Sequence, residues 1–188
     1  MRGKKFRYIY LMNPYPAIET ERLILRATAI EDAELIYALQ NTEGWLKFIG
    51  DRGVRSVKDA ERYIAERMMP QYMRLGFSNN TIFLKSDGSR IGVAGLYARE
   101  GLDHVDLGFA LLPVFMRKGY IREAGEALLH VVIHVYQLKQ VDAITTEENV
   151  ASQQVLRGLG FSFVKRTRLP DDPEELLLFT RLLEKKHA

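Results

Sequence analysis

The 188-residue sequence contains no cysteine. This absence excludes disulfide bonds, zinc sites built on thiolates and every covalent mechanism with a cysteine nucleophile. The net charge is only +3, and basic residues interleaved with aromatic ones are confined to the start of the chain. We therefore expect no nucleic-acid partner, although an isoelectric point near 9.1 is compatible with polyanions.

The sequence also lacks an apolar run long enough to cross a membrane. The most apolar helical segment, residues 127–138, is interrupted by His130 and His134 and falls short of the roughly 18–20 residues that a bilayer requires. The apolar run at residues 8–12 is shorter than the roughly 7–15 residues of an export signal. We expect a cytoplasmic protein with no membrane partner, in which residues 1–17 form an arm.

Repeats, low-complexity tracts and interdomain linkers are also absent from the sequence. With 47% hydrophobic and 27% charged residues, the composition is that of a globular protein long enough to bury a sizeable core. We therefore predict one domain over residues 18–183 and a tail over residues 184–188. Nothing in the pattern selects between a monomer and a homodimer.

The centre of the predicted fold is a β-α-β unit. Residues 105–112 form an apolar strand that Pro113 ends, because proline cannot donate to a strand ladder. A long amphipathic helix begins near residue 120, and residues 141–146 form a second apolar strand. A strand, a helix and a strand in this order predict a parallel pair with a right-handed crossover.

The turn between the first strand and the helix is basic and contains Arg117, Lys118 and Gly119. The first N–H groups of a helix have no internal partner, and the helix dipole attracts anions, so this turn suits a phosphate. The alternative is an ordinary turn glycine between solvated cations. The segment alone leaves both readings open.

The pattern predicts further elements on both sides of this unit, which together form an antiparallel meander and a C-terminal pair of strands. They are a strand at residues 21–26, a helix opened by a capping box of Thr28 and Glu31, an irregular loop at residues 41–55, a second helix from Ser56 to near Pro70, a hairpin of strands at residues 81–85 and 90–98 around Asp87 and Gly88, and two strands at residues 162–169 and 176–182.

Two groups of titratable residues invite a catalytic or metal-binding interpretation. His130 and His134 lie four residues apart on the predicted helix, but no glutamate adjoins the first histidine and no third ligand stands at a recognisable spacing, so we predict no metal site. Asp103, His104 and Asp106 cluster at the start of the central strand. These groups either act as bases or solvate the end of the strand.

Three motifs stand in a fixed order around the β-α-β unit: RKGY at residues 117–120, ENVAS at residues 148–152 and LRGLGF at residues 156–161. Together they resemble the GNAT superfamily of acetyl-CoA-dependent N-acetyltransferases. The opening ERLILR at residues 21–26 is similar to the branch that contains the bacterial ribosomal-protein N-terminal acetyltransferases. The resemblance covers roughly residues 18–183.

The resemblance implies a mixed α/β, α+β-like GNAT fold with a twisted sheet of about six to seven strands, a parallel β-α-β cofactor unit and about four main helices. It also implies direct transfer of an acetyl group from acetyl-CoA to a primary amine, first among them a protein N-terminal amine. Two alternatives stay open. One is a small amine acceptor such as a polyamine or an aminoglycoside, and the other is a degenerate domain that binds CoA or a protein partner without turnover.

The same resemblance assigns roles to individual residues. Asp106 takes the position of a glutamate general base and is one methylene shorter, so a water relay is expected. An electrostatic role toward the cationic acceptor and a purely structural role stay open for Asp106. Ser152 matches a serine placed near the sulfur, where its hydroxyl would stabilise or protonate the departing thiolate. Trp45 and Phe48 lie in the segment that walls the acceptor cleft, unless they anchor that segment to the core. The predicted acetyl-CoA contacts are Phe109, Ala110, Leu111, Arg117, Lys118, Gly119, Tyr120, Ile121, Arg122, Asn149 and Ser152.

Met116, Arg117 and Ile121 depart from the superfamily's pyrophosphate turn, which usually has Arg or Gln, then Gly, and later Gly or Ala at these positions. If residue 117 requires a positive φ, a side chain there costs about 1 kcal/mol. The bulk of Ile121 is expected to hinder the approach of the backbone to the phosphates. We expect the three changes to weaken or re-route CoA binding.

Overall fold

The computed structural model describes residues 17–170 and 174–183. Residues 1–16 of the predicted arm and the predicted tail at residues 184–188 lie outside the described residues. The described chain forms a single sheet with helices on both faces. This architecture confirms the predicted mixed α/β fold.

The strands of the sheet are β1 (Ile18–Glu19), β2 (Leu23–Ala27), β3 (Asn79–Leu84), β4 (Arg90–Tyr97), β5 (Asp106–Leu111), β6 (Gln140–Thr146), β7 (Ser162–Thr167) and β8 (Leu176–Leu182). Their order is β1-β2-β3-β4-β5-β6-β8-β7. Among the strands of residues 17–170 and 174–183, only β5 and β6 pair in parallel, as the β-α-β prediction requires. The sheet has 8 strands rather than six to seven because β1 spans only 2 residues, too few for alternation to reveal.

The α-helices of the described residues are α1 (Ala33–Gln40), α2 (Glu43–Phe48), α3 (Val57–Tyr63), α4 (Met69–Leu75), α5 (Tyr120–His134) and α6 (Val150–Gly158). A π-helical turn, Ile64–Met68, joins α3 to α4, so the second predicted helix does not end near Pro70. The wider turn changes the hydrogen-bond register, and Pro70 then falls in the first turn of α4, where its missing N–H leaves no bond unmade.

Two local predictions between β2 and α3 are wrong. The capping interaction lies one residue later than Thr28 and Glu31, because the N–H of Ala29 donates to Asp32 at 3.0 Å. The hydroxyl of Thr28 is instead held by Thr81, at 3.0 Å across the sheet. The segment predicted as irregular contains α2, which begins after Thr42 with that hydroxyl accepting from the backbone N–H of Trp45.

The sheet separates two hydrophobic clusters. The larger lies against α5 and α6 and includes Leu107 and Leu111, whereas the smaller lies under α1 and α3 and includes Val93 and Ala110. Since successive side chains of a strand point to opposite faces, Asp106 shares the α1 and α3 face with Ala110. The fold therefore places Asp106 and α5 on opposite sides of one strand.

Candidate active site

The parallel strands β5 and β6 are joined by one bridged pair, Asp106 with Asp142. From there to Leu111 the ladder of β5 has no partner in β6, although its other edge is paired with β4 throughout. The two strands therefore separate toward their C-terminal ends. The predicted cofactor contacts Phe109, Ala110 and Leu111 lie on this open edge of β5, which offers backbone N–H and C=O groups to an extended ligand.

The basic turn follows directly at the open end. It contains a 3-10 turn, Pro113–Phe115, and then two residues with left-handed backbone, Arg117 (φ 60°) and Gly119 (φ 80°). Residue 117 therefore has the positive φ at which a side chain costs about 1 kcal/mol. Within the described part of the chain, the backbone N–H groups of residues 117–122 donate to no other residue. They form an uncapped helix start of the kind that binds anions.

Sequence reasoning missed one residue that contacts this turn. Arg22, in the loop between β1 and β2, donates to the carbonyl oxygen of Lys118 at 3.0 Å and forms an ion pair with Glu123 of α5 at 2.7 Å. The guanidinium also lies over the ring of Tyr120, 4.7 Å from its centroid. Arg22 was visible in the ERLILR motif, but the pattern carried no sign that a residue so distant in sequence reaches α5.

Asn149 and Ser152 lie where β6 ends and α6 begins. The side-chain oxygen of Asn149 accepts from the backbone N–H of Ser152 at 3.0 Å, so Asn149 is the N-cap of α6. Both side chains remain partly exposed. The helices α5 and α6 thus start at the same edge of the sheet, where β5 and β6 separate.

Asp106 is buried at the closed end of this gap, with only 1% of the residue exposed. Both carboxylate oxygens accept from Nε of Arg99, at 3.0 and 2.9 Å. Burial raises the pKa of Asp106 to about 6, with a further increase from the charge of Asp142 and an opposing decrease from Arg99. Asp103 and His104 lie exposed beside it, at the end of the strand. Asp106 alone in this cluster is a buried carboxylate.

Residues 22–162 match the sequence model of the acetyltransferase (GNAT) domain. The match spans the opening motif, the basic turn and α6. The chain belongs to the GNAT acetyltransferase family. The family acts with acetyl-CoA, so the chain is an acyltransferase that uses this donor.

Three relatives illustrate the similarity of this GNAT chain to known proteins. YnaD of Bacillus subtilis (strain 168), an uncharacterized N-acetyltransferase, is 24% identical over 143 residues, which are 76% of this chain and 81% of YnaD. A putative ribosomal-protein-serine acetyltransferase from Vibrio cholerae superposes with a TM-score of 0.75 at 20% identity, covering 92% and 100% of the two chains. RimL, a ribosomal L7/L12 alpha-N-protein acetyltransferase in complex with CoA, superposes with a TM-score of 0.72 at 18% identity, covering 89% and 98%.

The GNAT site fits acetyl-CoA on two observations of this structure. The hydroxyl of Thr146, at the end of β6, is buried and has no hydrogen-bond partner among the described residues. The side chain of Ile121 is buried in the core under α5, so its bulk lies away from the basic turn. The expectation that Ile121 obstructs the turn is therefore wrong, because the helix directs that side chain inward.

Trp45 and Phe48, the two predicted acceptor contacts, both lie in α2. Trp45 is only 9% exposed and packs in the smaller core cluster, which is the packing of a residue that anchors its segment, and Phe48 is half-buried beneath the ammonium group of Lys47. A pocket of about 410 Å³ opens beside α3. The pocket is lined by Arg52, Gly53, Val54, Asp59, Arg62, Tyr63, Glu66 and Arg67.

Other expectations concern metals and membranes. Across residues 17–170 and 174–183, no group of three or more metal-ligating side chains stands close enough to hold an ion. His130 and His134 contact each other, with their ring centroids 4.1 Å apart. No helix in the described ranges has the length and apolar character that a membrane crossing needs.

Proposed function

We propose that this GNAT enzyme transfers the acetyl group of acetyl-CoA directly to the N-terminal amine of a protein. The neutral amine nitrogen attacks the thioester carbonyl carbon, a C–N bond forms, the C–S bond breaks and the thiolate of CoA departs. One proton leaves the ammonium form before attack and a second leaves the nitrogen during transfer. The observation that carries this proposal is the buried carboxylate of Asp106 at the point where β5 and β6 separate.

The proposed donor site follows the gap between the two strands. The backbone of Phe109, Ala110 and Leu111 would pair with the pantetheine arm, and the side chain of Asn149 would add a hydrogen bond to it. The free N–H groups of residues 117–122 would receive the diphosphate, with Lys118 and Arg122 adding positive charge. Ser152 would place its hydroxyl near the sulfur, where it can protonate the departing thiolate.

Asp106 would act as the general base. A pKa of about 6 leaves its carboxylate ionised at neutral pH and still basic enough to accept a proton. The carboxylate is almost fully buried and sits on a short side chain, so we propose that one water molecule carries the proton to it. Arg99 is a positioning residue in this scheme, since its Nε holds both carboxylate oxygens.

We take the pocket beside α3 as the acceptor pocket, and its charge favours a protein N-terminus over a polyamine or an aminoglycoside. The pocket is lined by three arginines and two acidic residues, and one of those acids, Asp59, is already paired with Arg62. A polycationic acceptor would meet net repulsion there. A peptide brings one cationic amine and a neutral backbone, and RimL, a protein of the same fold, carries an N-terminal acetyltransferase name.

A calorimetric titration and an acetylation assay test the proposal. We expect acetyl-CoA to bind in a calorimeter with micromolar affinity, and dephospho-CoA and ADP to bind more weakly. With acetyl-CoA saturating, peptides with a free N-terminus should be acetylated once, while the same peptides blocked at the N-terminus and spermidine should not react. Binding without turnover of any amine would instead support a degenerate CoA-binding domain. Preferred turnover of spermidine would overturn the choice of acceptor.

A further inference from the structure

Glu123 occupies the first turn of α5, next to the proposed diphosphate site, and its carboxylate is fully engaged by the loop between β1 and β2. The hydroxyl of Thr20 donates to it at 2.6 Å, the backbone N–H of Arg22 at 2.8 Å and Nε of Arg22 at 2.7 Å. Only 17% of the Glu123 side chain is exposed. This loop, just over a hundred residues upstream of Glu123, therefore contacts the start of the proposed cofactor helix.

A carboxylate at this place has two opposite effects. It stabilises the positive end of the helix dipole, but it repels any phosphate bound to the same N–H groups. Burial favours its neutral form, yet the hydrogen bonds from Thr20 and Arg22 prevail and hold the pKa of Glu123 below its ordinary value. Glu123 is therefore a permanent negative charge beside an anion site, unless a cation compensates it.

Arg22 supplies that cation and also fixes the turn. Its Nη1 donates to the carbonyl oxygen of Lys118 at 3.0 Å, and its guanidinium lies over Tyr120. In a trans peptide the C=O and the following N–H point in opposite directions. Because the Lys118 carbonyl points to Arg22, the N–H of Gly119 points away from Arg22, toward the open side of the turn. The left-handed backbone of Gly119 is part of the same arrangement.

We propose that Arg22 is a positioning residue for acetyl-CoA: it masks the charge of Glu123 and holds the Lys118 carbonyl so that the turn presents its N–H groups to the diphosphate. The proposal rests on acetyl-CoA being the donor of the proposed function. Arg22 and its loop between β1 and β2 lie outside the residues that the sequence motifs predicted to contact acetyl-CoA.

The test compares two ligands on a set of variants. S-acetylpantetheine carries the thioester arm without the diphosphate, so it reports on the strand gap alone. We expect Arg22→Ala to raise the Kd of acetyl-CoA about tenfold and to leave the Kd of S-acetylpantetheine within about twofold. The double variant Arg22→Ala, Glu123→Gln should recover at least about threefold of the lost affinity, since the unmasked charge is then gone.

Three results would overturn the proposal. Equal weakening of both ligands by Arg22→Ala would mean a general disturbance of the fold. Unchanged acetyl-CoA affinity would mean that the masking has no effect. A loss that Glu123→Gln does not restore would make Arg22 a direct phosphate ligand. Lys85→Ala serves as the control. It breaks the ion pair between Lys85 and Glu19 of β1, which does not involve α5, and should change neither Kd. A wild-type protein that binds no acetyl-CoA would refute the proposed function instead.

Discussion

Arg99 donates through a single nitrogen, Nε, to both carboxylate oxygens of Asp106, at 3.0 and 2.9 Å. Tyr97 supports the arginine from below, with its ring centroid 4.9 Å from the guanidinium carbon. Burial and Arg99 therefore act on Asp106 in opposite directions. Burial raises its pKa, Arg99 limits the rise, and the result near 6 is suited to a base that works at neutral pH.

Asp106→Asn should lower kcat about a hundredfold at pH 7.5 and leave the Kd of acetyl-CoA unchanged, because only the proton acceptor is removed. The pH profile gives a sharper result. Below pH 6 the wild-type log(kcat/KM) for a peptide should fall with a slope of two, one proton on the amine and one on Asp106. The variant should fall with a slope of one. A slope of two in both proteins would exclude Asp106 as the base.

Arg99→Met should move the Asp106 limb of that profile to a higher pH. Removing the guanidinium removes the effect that opposes burial, so the pKa of Asp106 rises further above its ordinary value. Arg99→Lys is the matched variant, since it keeps a positive charge and should hold the limb near pH 6. The measurement is kcat/KM from pH 5 to pH 9. A limb that stays in place in Arg99→Met would contradict the assignment.

The raised pKa of Asp106 also makes a prediction about stability. The folded pKa of about 6 exceeds the model-peptide value of 3.8, so the contribution of this group is fully present below pH 3.8 and is lost as pH rises through 6. Relative to Asp106→Asn, the wild-type free energy of unfolding should therefore fall by about 2 kcal/mol between pH 4 and pH 8. Urea unfolding at both pH values measures it. A constant difference would contradict the raised pKa.

Arg117→Gly should stabilise the protein by about 1 kcal/mol, because the side chain at φ 60° is strained and glycine is not. Arg117→Ala is the control: it removes the same charge but keeps Cβ, and should give no gain. Thermal or urea unfolding of both variants decides between them. A similar gain in Arg117→Ala would assign the effect to charge rather than to the backbone.

Asn149→Ser separates the two roles of that side chain. Serine caps helices about as well as asparagine, so the variant should keep the wild-type stability, whereas Asn149→Ala should lose about 1 kcal/mol. If the amide also binds the pantetheine arm, both variants should weaken acetyl-CoA binding several-fold. Unfolding curves and calorimetric titrations of the two variants provide the comparison. Wild-type affinity in Asn149→Ser would restrict Asn149 to the cap.

The sequence predicted what hydrophobic periodicity determines, whereas its capping box was one residue out of place. The β-α-β unit could be predicted from the segments that form it, whereas a positive φ at residue 117 was only a condition taken from the family resemblance. Trp45 shows the limit of this approach: a large aromatic residue in a glycine-containing segment fits a cleft wall or a core anchor equally well. Only the packing of α2 against α1 and α3 distinguishes them.

Contacts between distant segments could not be predicted. Arg99 stands seven residues before Asp106 across a turn, and Arg22 about a hundred residues before Glu123, so no spacing rule links either pair. The direction of the Ile121 side chain could not be predicted for the same reason, because it depends on how α5 packs on the sheet. The continuous helix through Pro70 depended on a π-turn, which leaves no signature in hydrophobic spacing.

The single bridged pair between β5 and β6 has a consequence for how the molecule opens. Because one bridged pair joins β5 to β6, the sheet consists of two hydrogen-bonded groups of strands, β1 to β5 and β6 to β8. Residues of α5 pack in the core cluster that both groups share. The amide hydrogens of one group can therefore exchange with solvent while the hydrogen bonds of the other group stay intact. Acetyl-CoA bound in the gap between β5 and β6 would link the two groups of strands. Amide exchange in β6 and β8 should therefore slow when acetyl-CoA is bound.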